Sequence, residues 1–331
     1  MKRIWLACRL ILIILSSFCL FISCGSDSTD LVAGGGIGGT GYISSGAITA
    51  FGSIVVNEVT FDTAEAILYI SGQEEGVGDE AIRENLGVGQ VVLVEGTGDG
   101  ETSSGIAKRV IYSPNVIGPV TAVYDVTPKI KIFRILGQTV MANADTIFSS
   151  GSMESIREDN LLEVSGLVDD EGRIRATYIK RIANSFDPGR EIEVKGLIQN
   201  LNLANKTFTI NDLQISYSQA QLVNFTEGEM NPGQQIHVRG RVSQNYVSAS
   251  MLRLTEENKI NNAERADVEA IITDLNSEDE LSIGLLRAKI QENTRFMNGE
   301  RRDLRKGIKI RLKGKVVNKV MLAQVVFILE K

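Results

Sequence analysis

GQQIHVRG, residues 233–240, is a phrase that the chain writes four times. The other copies are GQVVLVEG at 89–96, DNLLEVSG at 159–166 and GIKIRLKG at 307–314, with closing glycines 70, 74 and 74 residues apart. In every copy the interior alternates. Val92 and Val94, Leu162 and Val164, Ile236 and Val238, and Ile310 and Leu312 fall on one side, while Leu93 and Glu95, Glu163 and Ser165, His237 and Arg239, and Arg311 and Lys313 fall on the other. A period of two marks a half-buried strand, with the first set turned to a core and the second to solvent. The closing glycine predicts a bulge, a bend or a close backbone approach where the strand turns a barrel corner.

Two further registers keep the same rhythm. The openings GAITAF at Gly46, GPVTAV at Gly118, GLIQNL at Gly196 and EAIITD at Glu269 are spaced by 72, 78 and 73 residues, and Ala107, Ala176, Ala249 and Ala323 follow the closing glycines by 11, 10, 9 and 9. Landmarks recurring in one order identify an internal repeat. With 32 glycines, 5 prolines and 6% aromatics, the composition suits short strands joined by glycine turns rather than a helical bundle. The sequence therefore predicts an all-β chain: a tandem array of four small five-stranded OB-like β-barrel units, at 42–117, 118–189, 190–260 and 264–331, with a sandwich formed by pairs of units as the structural alternative. Asn57-Glu58 is the expected hairpin turn of the first unit, and residues 79–86 are its expected short helix.

Residues 1–23 read as a secretory signal, with Lys2, Arg3 and Arg9 ahead of an apolar run too short to span a membrane comfortably. The run ends in FISCG, which resembles the lipobox of bacterial lipoproteins and makes Cys24 the expected lipidation site. Phe21 stands where that pattern usually has Leu. All 3 cysteines, Cys8, Cys19 and Cys24, lie in or at the end of this segment, so no disulfide is expected in the processed chain. Residues 24–41 form a Gly- and Ser-rich tether.

GGIGGTGYISSGAITAFGSIVVNEVTFDT at 35–63, LGQTVMANADTIF at 136–148 and GQVVLVEG together resemble the bacterial exported proteins built of tandem copies of the domain of unknown function 5666. The resemblance is strong over 35–166 and thinner beyond. It implies predicted lipoproteins with small β-barrel-like domains, and it supplies no catalytic or ligand residues. Glu58 departs from the pattern, in which a glycine usually follows the turn asparagine.

Chemistry is sparse in this sequence. His237 is the sole histidine, expected on the solvent side without convergent partners, and the mature chain would keep no thiol for zinc. No metal and no cofactor are expected, and VDDEGRI at 168–174 reads as a hairpin turn closed by Gly172. Nucleic acid is not an expected partner. The only tryptophan, Trp5, lies in the signal, and removing Lys2, Arg3 and Arg9 leaves 32 basic against 41 acidic side chains. Positive charge gathers late in the chain, where Arg301, Arg302, Arg305, Lys306, Arg311 and Lys313 form a candidate anion-binding cluster. The expectation is a non-enzymatic envelope protein, anchored to the membrane through its N-terminal lipid and binding or scaffolding a polysaccharide, a lipid headgroup or another envelope protein. Gly25 after the cysteine favours the outer membrane if the host has two. The alternative is a carboxylate-based enzyme acting on envelope glycans.

Overall fold

Alternating apolar residues send the chain into 26 strands and a single α-helix among the described residues, which in this computed structural model are 41–98, 103–243, 246–256, 260 and 262–330. The signal, Cys24 and nearly all of the tether lie outside them. The first repeat comprises β1 (Tyr42–Ala50), β2 (Ile54–Val56), β3 (Val59–Asp62), β4 (Ile67–Ile70), β5 (Gln73–Val77), α1 (Gly78–Asn85), β6 (Val91–Thr97) and β7 (Ser104–Tyr112). β1 pairs antiparallel with β2 and β6, β2 with β3, and β6 with β7, while β3 runs parallel to β7. The ring β1-β2-β3-β7-β6 is a closed five-stranded barrel, with β4, β5 and α1 inserted before its fourth strand.

The same order of pairings follows in the next stretch. β8 (Val116–Thr127), β9 (Ile130–Ile135), β10 (Gln138–Ala142), β12 (Leu161–Val168) and β13 (Ile174–Ala183) close a second ring, with β11 (Ile147–Ser150) added along β13. The third stretch holds β14 (Ile192–Leu197), β15 (Gln199–Asn202), β16 (Thr207–Ile210), β17 (Leu213–Ser216), β18 (Gln221–Val223), β19 (Gln235–Ser243) and β20 (Tyr246–Leu254). The last holds β21 (Ala263–Ile271), β22 (Asp274–Leu275), β23 (Glu280–Ile283), β24 (Leu286–Met297), β25 (Lys309–Val317) and β26 (Val320–Ile328). Here the opening strand is broken in two, at Ile198 and after Ile271, and the remaining pairings keep the order of the first ring.

The repeated phrase explains the repeated geometry. Its first residue sits at positive φ in every copy (Gly89 94°, Asp159 68°, Gly233 86°, Gly307 79°), a region open to glycine and tolerated by aspartate. That twist lets the first two residues clamp the opening strand. Ile48, Val120, Ile198 and Ile272 each donate to the carbonyl of Gln90, Asn160, Gln234 or Ile308 at 2.9 Å, and each accepts the N–H of the preceding residue. At the phrase's end, the register shifts at Gly96, Gly166, Gly240 and Gly314. These are the bulges expected from the sequence, and a methyl group at any of them would overlap the cross-strand carbonyl oxygen of Ile106, Arg175, Ser248 or Leu322.

The rings do not hang on the chain like beads. β1 pairs in parallel with β21, from Tyr42 opposite Arg265 to Ser45 opposite Val268, and β8 pairs antiparallel with β14 through Ile117–Glu193 and Val116–Val194. Two 13-stranded sheets result, the first repeat joined to the fourth and the second to the third. The second and third also share one continuous hydrophobic core, from Val116 and Phe133 to Phe208 and Leu252.

Candidate functional site

Leu93, Glu163, His237 and Arg311 hold one position of the repeated phrase, on the side expected to face water. Leu93, His237 and Arg311 are instead buried, and Glu163 is half-buried. The outer side of each strand is covered by another repeat, which local alternation cannot foresee. Glu163 accepts from Tyr112 Oη at 2.6 Å and Gln90 Nε2 at 3.0 Å, both in the first repeat. His237 Nε2 lies 2.9 Å from Glu193 Oε2, and Ser71 of the first repeat donates to the same oxygen at 2.6 Å. Arg239 adds two hydrogen bonds to Glu193 Oε1.

Arg311 corrects the expected anion cluster most sharply. It is 4% exposed, its guanidinium holds both oxygens of buried Asp267 at 2.7 and 2.9 Å, and it reaches Glu58 at 2.7 Å and the Asn57 carbonyl. It is a structural cation at the junction of the first and fourth repeats. Lys313 lies 3.5 Å from the same Asp267. The others stand nearer the surface, but the β22–β23 hairpin and the segment after β24 bring acids to them. Arg301 pairs with Asp279, Arg302 with Glu300 at 3.0 Å, and Lys306 with Asp274 at 2.6 Å, while Arg305 is exposed beside them. Asp169 of the VDDEGRI turn is likewise saturated, by the N–H groups of Glu171 and Arg173 and by the guanidinium groups of Arg173 and Arg175.

Among the described residues no three His, Cys, Asp or Glu side chains converge. Among the described residues the carboxylates with displaced pKa values, Glu154, Glu193, Glu229 and Asp274, are displaced downward, whereas a general acid at neutral pH needs displacement upward. Glu193 is the largest case. Burial pushes its carboxyl up, but the hydrogen bonds from His237 and Ser71, with the charges of His237 and Arg239, outweigh burial and hold it at about 2.

The feature with the character of a binding site lies among β1, β6, β12, β14, β21 and the β23–β24 hairpin. A cleft of about 490 Å³ is lined by Ile43 and Leu93 from the first repeat, Leu167 from the second, Lys195 and Gln234 from the third, Ile271, Ile283 and Leu286 from the fourth, and Asn115 at the junction of the first two. Its walls are chiefly aliphatic and its polar groups few, and the volume falls in the range of about 300–1,000 Å³ usual for ligand pockets. Two of the polar groups are held in place. Asn115 is 4% exposed and Gly166 N–H donates to its Oδ1 at 2.8 Å, while its own backbone carbonyl accepts from Lys195 N–H at 2.8 Å. Gln234 Oε1 accepts from Asn231 N–H at 2.7 Å. A larger groove of about 940 Å³ on the second repeat is less selective, its rim mixing Asp125, Glu154 and Glu158 with Lys131 and Arg157.

Sequence reading missed this cleft. Gln234 carried a signal, because Gln90 and Asn160 hold the same place in the phrase, whereas nothing local distinguishes Asn115.

The pairing order defines an all-β protein with a closed five-stranded, OB-like barrel. A family model described as "Domain of unknown function (DUF5666)" matches residues 117–180, the ring from β8 to β13. No curated protein matches. Among solved structures, a Drosophila chain titled "drosophila Unr CSD456" is similar at 14% identity, over 65% of this chain and 96% of its own, with a TM-score of 0.17. So low a score adds nothing to the topology read from the strand pairing.

Proposed function

We propose that this is an exported, lipid-anchored envelope protein whose barrels form a rigid, non-enzymatic binding body, with the cleft among the four repeats as its ligand site. The cleft carries the reading. It combines aliphatic walls with a few fixed polar groups, and the displaced carboxylates lean away from acid catalysis. The anchor rests on Lys2, Arg3, Arg9, the apolar run and FISCG, and Gly25 favours the outer membrane in a host with two. Tandem copies of the matched domain fit the repeated pairing.

Two measurements test these parts separately. Mass spectrometry of the N-terminus of protein from its own host should find diacylglyceryl-Cys24, and an unmodified N-terminus elsewhere would remove the anchor. A neutral alkyl-diazirine photoprobe applied to isolated envelopes should label residues lining the cleft, such as Leu167, Gln234 and Leu286. Labelling spread evenly over the surface would remove the site.

A further inference from the structure

Two side-chain amides of the central cleft share a bias. Asn115 and Gln234 each spend the side-chain oxygen on a backbone N–H and keep the amide nitrogen, which finds no acceptor among the described residues. Asn115 is more than nine-tenths buried, yet its nitrogen is not sealed off, because the side chain lines the cleft. The same position in other repeats shows the contrast. Gln90 also accepts a backbone N–H, but its nitrogen donates to Glu163 at 3.0 Å; Asn160 does likewise, donating to the Asn184 carbonyl at 2.9 Å. Only the third repeat's copy points its donor at the cleft. Among the described residues the lining also includes Lys319 and one carboxylate, Glu269, which is held by Lys309 at 2.8 Å.

An amide donor that lines the cleft and has no protein acceptor is open to an oxygen supplied by a ligand. Ligand oxygens meeting these donors would therefore be favoured over a ligand cation. The walls beside them, Ile43, Leu93, Leu167, Ile283 and Leu286, suit an alkyl chain. Resting on the reading of this cleft as the ligand site, we propose that it takes a single-chain amphiphile with a carboxylate head, the head on the amides of Asn115 and Gln234 and the chain along the aliphatic walls.

The test is equilibrium dialysis of decanoate, decanol and decyltrimethylammonium against the full chain held in a non-ionic amphipol. Decanoate should bind saturably and about tenfold tighter than decanol, the difference made by hydrogen bonds to a charged head, and the cation should bind most weakly. Gln234→Glu keeps the oxygen that accepts from Asn231 and replaces the donor with a carboxylate, so it should erase the preference for decanoate without loss of fold. Val168→Trp, at the half-open edge of the cleft, should abolish uptake of both decanoate and decanol. Equal binding of decanoate and the cation, or an unchanged preference in Gln234→Glu, overturns the head-group assignment. If decanol and decanoate bind equally and both are lost in Val168→Trp, the ligand site stands and the carboxylate does not. No saturable uptake of any probe overturns both.

Discussion

Arg311 and Asp267 form a fully enclosed ion pair, with side chains 5% and 2% exposed. Such a pair adds little net stability over well-packed apolar residues, but removing one partner strands the other's charge. Arg311→Ala is accordingly expected to destabilise the protein by about 3–5 kcal/mol in urea unfolding, and the double change Arg311→Met with Asp267→Leu should recover most of that loss. Glu193 gives a pH dependence with a definite sign. Its folded pKa of about 2 lies below the ordinary 4.5, so the stability it supplies is present above that value and is lost as pH falls from 4.5 through about 2. The loss is on the order of 3 kcal/mol, and His237→Phe should shrink it, as acid titration of the unfolding free energy will read. A titration curve identical in the two proteins would sink this assignment.

Within the strands, the closing glycines are fixed by clearance. Gly240→Ala drives a methyl into the Ser248 carbonyl oxygen across the bulge, so β19 and β20 must separate locally. A cost of about 1–3 kcal/mol or more is expected from such overpacking. Gly228→Ala, with open space around it and no positive φ, is the control and should stay within about 0.5 kcal/mol of the parent protein. Equal melting temperatures for the two variants would refute the clearance argument. The Asn57-Glu58 turn was legible as a hairpin, and both residues take φ near +60° (54° and 60°) as a two-residue turn of the primed type requires. Why glutamate stands where glycine is easier was not legible. Glu58 reaches across to Arg311, and the Asn57 amide donates to Ser44, Ser45 and Asp267, so the turn is a docking device as well as a corner.

At the scale of the molecule, sheet continuity crosses the order of the repeats. Each 13-stranded sheet draws one repeat from residues 42–189 and one from residues 190–331. Produced separately, those halves would expose the paired edges of β1, β8, β14 and β21, and unpaired edges seek partners. The two halves, co-expressed as separate chains, are expected to copurify as a one-to-one complex. Two stable monomers with no mutual affinity would show that the repeats fold and stand alone. Hydrogen exchange supplies a second reading: Arg311→Ala should weaken protection in β2 and β3 as well as in β25, because Glu58 and Asn57 lose their anchor.

By itself, the sequence determined what depends on neighbours along the strand. Its period of two placed Val92, Val94, Leu162, Val164, Ile236, Val238, Ile310 and Leu312 inside the barrels, and all eight are buried, because alternation of side chains is a local property of extended backbone. Its glycines marked the bulges, since absence of a side chain is also local. The other side of the same strands was decided only by the tertiary structure. Leu93, Glu163, His237 and Arg311 alternate as solvent-facing residues do, yet they lie under other repeats, with partners up to 254 residues away. The central cleft belongs to that second category, because its walls come from four separate stretches of chain and its donors are set by backbone groups that no local pattern brings together.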